Sequence, residues 1–154
     1  MLLLDLDDTL LDRTAAYARW SRAFAAELGA GPEVAAWLVE LDAGGDAPRE
    51  DVAAAIADRF GAAAGSDLVD RIRRGLVEHI DPDPAVPPAL AAAAKAGWTP
   101  VVVTNGGTRQ QERKLRATGL TDLVAGWVIS QTAGAWKPDP RIFREAARRV
   151  GQGP

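Results

Sequence analysis

The sequence predicts an α/β protein whose parallel sheet is interrupted, near its start, by an all-helical insertion. Three observations carry this reading. The apolar run MLLL leads directly into three aspartates, Asp5, Asp7 and Asp8. A second apolar run, PVVVT at 100–104, leads into NGG. Between them, residues 14–80 carry helical periodicity alone. Strands that alternate with helices imply right-handed parallel crossovers. In such sheets ligands bind beyond the carboxyl ends of the strands, where both the aspartates and NGG fall.

Residues 1–6 read as a short buried strand. Tyr17, Trp20, Phe24 and Leu28 then recur at spacings of three and four, and Gly29 and Gly31 end that helix. Pro32 suits the first turn of the next, whose stripe is Val34, Trp37, Leu38 and Leu41. Val52, Ile56 and Phe60 form a third stripe, and Leu68, Ile72, Leu76 and Ile80 a fourth, so the insertion is a small helix bundle. The prolines of DPDPAVPP (81–88) stop this pattern and favour an extended connector. An Ala-rich helix runs to about Ala96, with Gly97 as its stop, before the strand 100–104. Thr108 and Gln111 have the spacing of a capping box. A strand is expected at Trp127–Ser130. Asp139 suits an N-cap and Pro140 the first helical position of a helix over 141–150, after which the chain reads Gly-Gln-Gly-Pro.

The 154 residues allow one domain with an insertion, and a net charge of −3 with interspersed signs argues against nucleic acid as partner. With no cysteine, disulfides and thiolate metal sites are excluded. The first apolar run stops at Asp5, and no run approaches the ~20 residues of a membrane span, so a cytoplasmic protein without membrane attachment is expected.

Three features can carry chemistry. Carboxylates clustered beyond a strand bind a hard cation such as Mg²⁺, and one of them can act as nucleophile while another moves protons; the alternative is an acidic turn. VVVTNGG brings a hydroxyl, an amide and two glycines to a helix start, where free N–H groups favour an anion, although such junctions also serve as plain turns. Lys137 is one of three lysines beside fifteen arginines and precedes a Pro-fixed turn. It is either solvated or a compact charge for a phosphate or for the crowded aspartates. His79 reads as a solvated helix end. Trp20 and Trp37 read as core, and Trp136, beside Lys137, as packing, with the lining of a ligand entrance as the alternative.

The order of these features resembles the haloacid dehalogenase-like (HAD) hydrolase superfamily. Asp5-Leu6-Asp7-Asp8-Thr9-Leu10 is similar to its first motif, Val103-Thr104-Asn105-Gly106 to its second, and Lys137-Pro138-Asp139-Pro140 to its third. The resemblance implies a Rossmann-like core over 1–13 and 81–154 with a helical cap over 14–80. It implies a Mg²⁺-dependent phosphatase of a small phosphorylated metabolite. In it, Asp5 is the nucleophile and a metal ligand; Asp7 is the acid/base and a second ligand through its carbonyl. Thr104, Asn105 and Gly106 bind the phosphoryl group, and Lys137 holds nucleophile and phosphate together. Asp8 organises the turn, while Asp12 and Arg13 form the junction to the cap. A 2-haloacid dehalogenase-like hydrolase is the nearest alternative, but those enzymes lack the aspartate that Asp7 supplies. The family's fourth motif, a Gly-Asp followed by another acidic residue, has no counterpart here. The core is therefore expected to be C-terminally incomplete, as in a fragment or truncated form. Two further expectations follow: a catalytically silent module as a third reading, and self-association through the exposed edge of strand 1–6.

Overall fold

A computed structural model describes residues 1–61 and 67–151. Of the expected chain end, Gln152, Gly153 and Pro154 lie outside the described residues, as do 62–66 of the insertion. The chain forms two compact units, one of Met1–Asp12 with Asp81–Pro154, the other Arg13–Ile80.

The first unit is built on three parallel strands in the order β1 (Leu2–Leu4), β2 (Pro100–Thr104), β3 (Gly126–Ile129). The central strand is buried at all five positions, as a β-branched run between two neighbours should be. Leu2 pairs with Pro100 and Leu4 with Val102, so β2 reaches further than β1 toward the carboxyl end. Val101, Val103 and Val128 pack with Ala135, Ile142 and Ala146 into one apolar cluster. The strand expected over 1–6 ends at Leu4. From Leu6 the chain coils tightly, because the amides of Leu10 and Leu11 both bond to the Leu6 carbonyl (3.0 and 3.2 Å). Leu6, Leu10 and Leu11 are buried and anchor this coil.

The remaining helices of this unit are α5 (Val86–Lys95), α6 (Thr108–Ala117), α7 (Ser130–Ala133) and α8 (Pro140–Arg149). The connector expected to stay extended through 88 is helical from Val86. Pro87 and Pro88 sit in the first turn of α5, where the missing N–H would be unpaired anyway. Ser130 opens α7 and does not extend β3. Asp139 caps α8 as its sequence position predicts, accepting the Arg141 amide (2.8 Å). The Arg141 guanidinium, then that amide, hold the Asp139 carboxyl below its ordinary range.

The second unit holds α1 (Arg13–Glu27), α2 (Pro32–Asp42), α3 (Arg49–Phe60) and α4 (Leu68–Glu78). Tyr17, Trp20 and Phe24 stack along α1, with ring centroids 5.2 and 5.1 Å apart. Gly75 of α4 lies directly against the Trp20 indole, with no room for a side chain. Trp37, expected in the core, is half-buried: it meets Phe60 edge-on and carries Arg59 over its face. The largest departure is electrostatic. Asp42, 2% exposed, accepts two bonds from Arg13 (2.8 and 2.7 Å) and a third from Arg49. Arg13, expected with Asp12 at the junction to the helices, is the first residue of this unit and is buried. His79 caps α4, with its Nδ1 2.8 Å from the Gly75 carbonyl. Its own carbonyl accepts both Nε and Nη2 of Arg19 (2.9 and 2.8 Å).

Candidate active site

The site lies at the carboxyl ends of β1 and β2 and begins with Asp5, the first residue past β1. One Asp5 oxygen accepts the next residue's amide, Leu6 (2.7 Å), which fixes the carboxylate against its own backbone. The other lies 2.6 Å from Lys137 Nζ. This carboxylate remains 43% exposed, open enough to meet a ligand.

Asp7 does not share a strand face with Asp5, because extended geometry has already ended. The coil turns it toward α6, where Lys114 Nζ lies 2.7 and 2.8 Å from its two oxygens. Gln111 Nε2 donates to Asp7 Oδ2 at 2.9 Å. Asp8 is exposed and adopts φ of +55°, a conformation aspartate tolerates better than most residues. Its amide bonds to the Leu11 carbonyl (2.7 Å), closing the coil.

Thr104 ends β2 almost fully buried, its hydroxyl accepting Gln111 Nε2 at 2.7 Å. The same nitrogen lies 3.2 Å from the Asn105 carbonyl. Asn105 reaches across to the third segment: its Oδ1 accepts the Lys137 amide (2.8 Å) and its Nδ2 donates to the Lys137 carbonyl (3.2 Å). Gly106 has φ of +142°, and a Cβ there would press on Gln111, so both backbone and packing require glycine. Its N–H, expected free for an anion, donates to the buried Ser130 hydroxyl at 2.9 Å.

The structure thus brings Asp5 and Lys137 into contact. It links Asp7 to Thr104 through one amide, and ties Asn105 to the backbone of Lys137. Two residues of this network, Gln111 and Lys114, belong to none of the three sequence motifs. Gln111 was expected to close a capping box with Thr108, but α6 has Gly107 as its N-cap with no side-chain cap. Thr108 instead begins the helix and bonds Thr132, while Gln111 turns inward. The available signal was spacing: Gln111 and Lys114 lie three apart, on one helix face. Trp136, expected to pack, is 56% exposed. Among the described residues no group of three or more acidic or histidine side chains converges to hold a metal ion. No helix among them is long and apolar enough to cross a membrane.

Residues 1–154 match the family described as haloacid dehalogenase-like hydrolase. A stretch of 76 residues, 49% of this chain, is 38% identical to glyceraldehyde 3-phosphate phosphatase of Methanopyrus kandleri and covers 33% of that protein. A 93-residue stretch, 60% of this chain, is 28% identical to (S)-2-haloacid dehalogenase 1 of a Pseudomonas species and covers 40% of it. These matches therefore span well under half the length of either curated relative. The magnesium-bound HAD hydrolase YfnB of Bacillus subtilis superposes over 99% of this chain and 73% of its own, with a TM-score of 0.68 and 25% identity. With the parallel sheet and its ordered strand-end residues, the match over the whole chain gives the assignment: this protein belongs to the haloacid dehalogenase-like hydrolases.

Proposed function

We propose that this chain carries the phosphoryl-transfer site of a Mg²⁺-dependent phosphatase that acts on a small phosphorylated metabolite. The observation that carries the reading is Asp7. It sits two residues after an exposed carboxylate that is paired with Lys137, and is itself held beside Thr104. A dehalogenase has no use for a second carboxylate at that position, whereas phosphoryl transfer needs one to move a proton.

Asp5 attacks phosphorus, forming the aspartyl-phosphate as the bond to the leaving oxygen breaks. Asp7 gives that oxygen its proton. Asp7 then takes a proton from the water that attacks phosphorus, which releases phosphate and restores Asp5. Lys137 offsets charge on Asp5 and the phosphoryl oxygens, while the Thr104 hydroxyl and the Asn105 backbone orient that group. The Gly106 N–H joins them by exchanging Ser130 for a phosphoryl oxygen. The donors suit Mg²⁺, which takes hard oxygens and needs only one or two carboxylates beside water and phosphate. Asp5 through its carboxylate and Asp7 through its backbone carbonyl would hold it, and it would supply positive charge beside the phosphoryl group. The helical unit Arg13–Ile80 serves as a cap that excludes water and selects small substrates.

The test is hydrolysis of p-nitrophenyl phosphate with and without Mg²⁺, in the wild type and in Asp5→Asn. Turnover that needs both Mg²⁺ and Asp5 is expected. Chloride release from 2-chloropropionate without metal would instead establish the dehalogenase. Absence of turnover on any phosphate ester would overturn the phosphatase reading.

A further inference from the structure

Resting on the phosphatase reading, we infer that Gln111 and Lys114 are positioning residues that set the orientation of Asp7, one helical turn behind the reacting groups. Both side chains are buried, at 2% and 3% exposure. Burying a lysine ammonium costs stability unless a partner compensates it, and apolar residues of similar size usually serve a core as well or better. Packing alone therefore does not account for a lysine here. Its ammonium bridges both oxygens of Asp7, at 2.7 and 2.8 Å.

A carboxylate offers about four lone-pair directions. Lys114 occupies one on each oxygen and Gln111 a further one on Oδ2. About one direction is left, and Asp7 keeps 23% exposure through which to use it. Rotation of the carboxylate is thus suppressed. Gln111 adds a second constraint, since its single Nε2 lies within bonding distance of Asp7, Thr104 and the Asn105 carbonyl. Two hydrogens serve three acceptors, so Asp7 and the phosphoryl-binding hydroxyl are placed relative to each other by one group. A misplacement of about 1 Å can cost a catalytic group roughly 100-fold in rate.

The experiment measures kcat and KM of the full chain with p-nitrophenyl phosphate and Mg²⁺. This ester's leaving group needs little protonation, which keeps Asp7→Asn measurable. The variants are Lys114→Met, Lys114→Gln, Lys114→Arg and Gln111→Leu, with the Lys114 changes repeated in an Asp7→Asn background. Lys114→Met and Lys114→Gln should lower kcat by roughly 100-fold, with KM changed less than about threefold. Gln111→Leu should move kcat in the same direction. Lys114→Arg should restore most of the loss. In the Asp7→Asn background, the Lys114 changes should add less than about twofold, because a residue that acts through Asp7 has nothing left to orient. An undiminished kcat, or losses that add fully to Asp7→Asn, would overturn the inference while leaving the phosphatase reading intact. A wild type without turnover, or turnover surviving Asp5→Asn, overturns that reading and the inference with it.

Discussion

Asp42→Asn isolates the charge that holds the helical unit together. Asp42 lies at the end of α2, its side chain 3% exposed, between Arg13 (6%) and Arg49 (17%). The substitution keeps the shape and removes the charge, leaving two poorly solvated guanidinium groups without their shared carboxylate. Removing one partner of a buried pair costs about 3–5 kcal/mol. Native-state hydrogen exchange resolves that loss locally, which suits a chain of two units. At about 1.4 kcal/mol per factor of ten, amides of α1 and α2 should exchange roughly 100- to 4,000-fold faster. Amides of β2, in the other unit, should keep their wild-type rates. The combined replacement Arg13→Met, Asp42→Leu, Arg49→Met should recover most of the protection, because an apolar trio of similar volume leaves no charge buried. Acceleration below tenfold in α1 and α2 would refute the reasoning and show that water already solvates the triad.

Gly75→Ala should destabilise α4 by about 1–3 kcal/mol in urea unfolding, although helix propensity alone favours alanine by roughly 1 kcal/mol, because the new methyl would overlap the Trp20 indole. Burial, and then Asp42, raise the Tyr17 hydroxyl pKa above its ordinary value. That contribution to stability is complete below about pH 10, the unfolded value, and is lost as pH rises toward the folded one. Tyr17→Phe should therefore flatten the alkaline fall in stability between about pH 10 and 11.5, and an identical slope in both proteins would remove Tyr17 as its source. Lys137→Ala should lower phosphatase kcat by roughly 100- to 1,000-fold, the range for one lost electrostatic group. Lys137→Arg should recover little, since a broad guanidinium does not reproduce the 2.6 Å contact to Asp5.

Apolar periodicity made the four helices of the insertion legible, and so did the β-branched run of β2. The start of α8 was legible to the residue, because Asp139-Pro140 combines a cap with a fixed φ. The same rules misplaced the start of α5, where prolines that end one helix also begin the next. They overextended β1 too, since a short apolar run does not reveal where the coil of Leu6–Leu11 takes over. In the site, residue type and order single out Asp5, Asp7, Thr104, Asn105, Gly106 and Lys137. Gln111 and Lys114 stayed hidden because α6 is polar on nearly every side, so no apolar stripe shows which polar residues turn inward. Asp42 stayed hidden for a related reason: a charged residue at a helix end reads as solvated until both arginines are seen to enclose it. Trp136 erred in the opposite sense, as an aromatic residue that the fold leaves in water.

The clasp of Arg19 on the His79 carbonyl has a consequence for the order in which the protein assembles. Lys114 and Asp7 are 107 positions apart, and the whole helical unit intervenes. If that stretch were still an open coil when the sheet formed, closing a loop of about 70 residues would cost roughly 4 kcal/mol of chain entropy. A bundle that folds first, with Arg19 fastening its last helix end to its first helix, turns the excursion into a short preformed link. The β1–β2 pairing then proceeds almost as in an uninterrupted chain. Arg19→Ala should thus slow refolding by nearly the whole factor of its stability loss and leave unfolding almost unchanged. An unchanged folding rate with faster unfolding would show that the clasp forms only after the sheet.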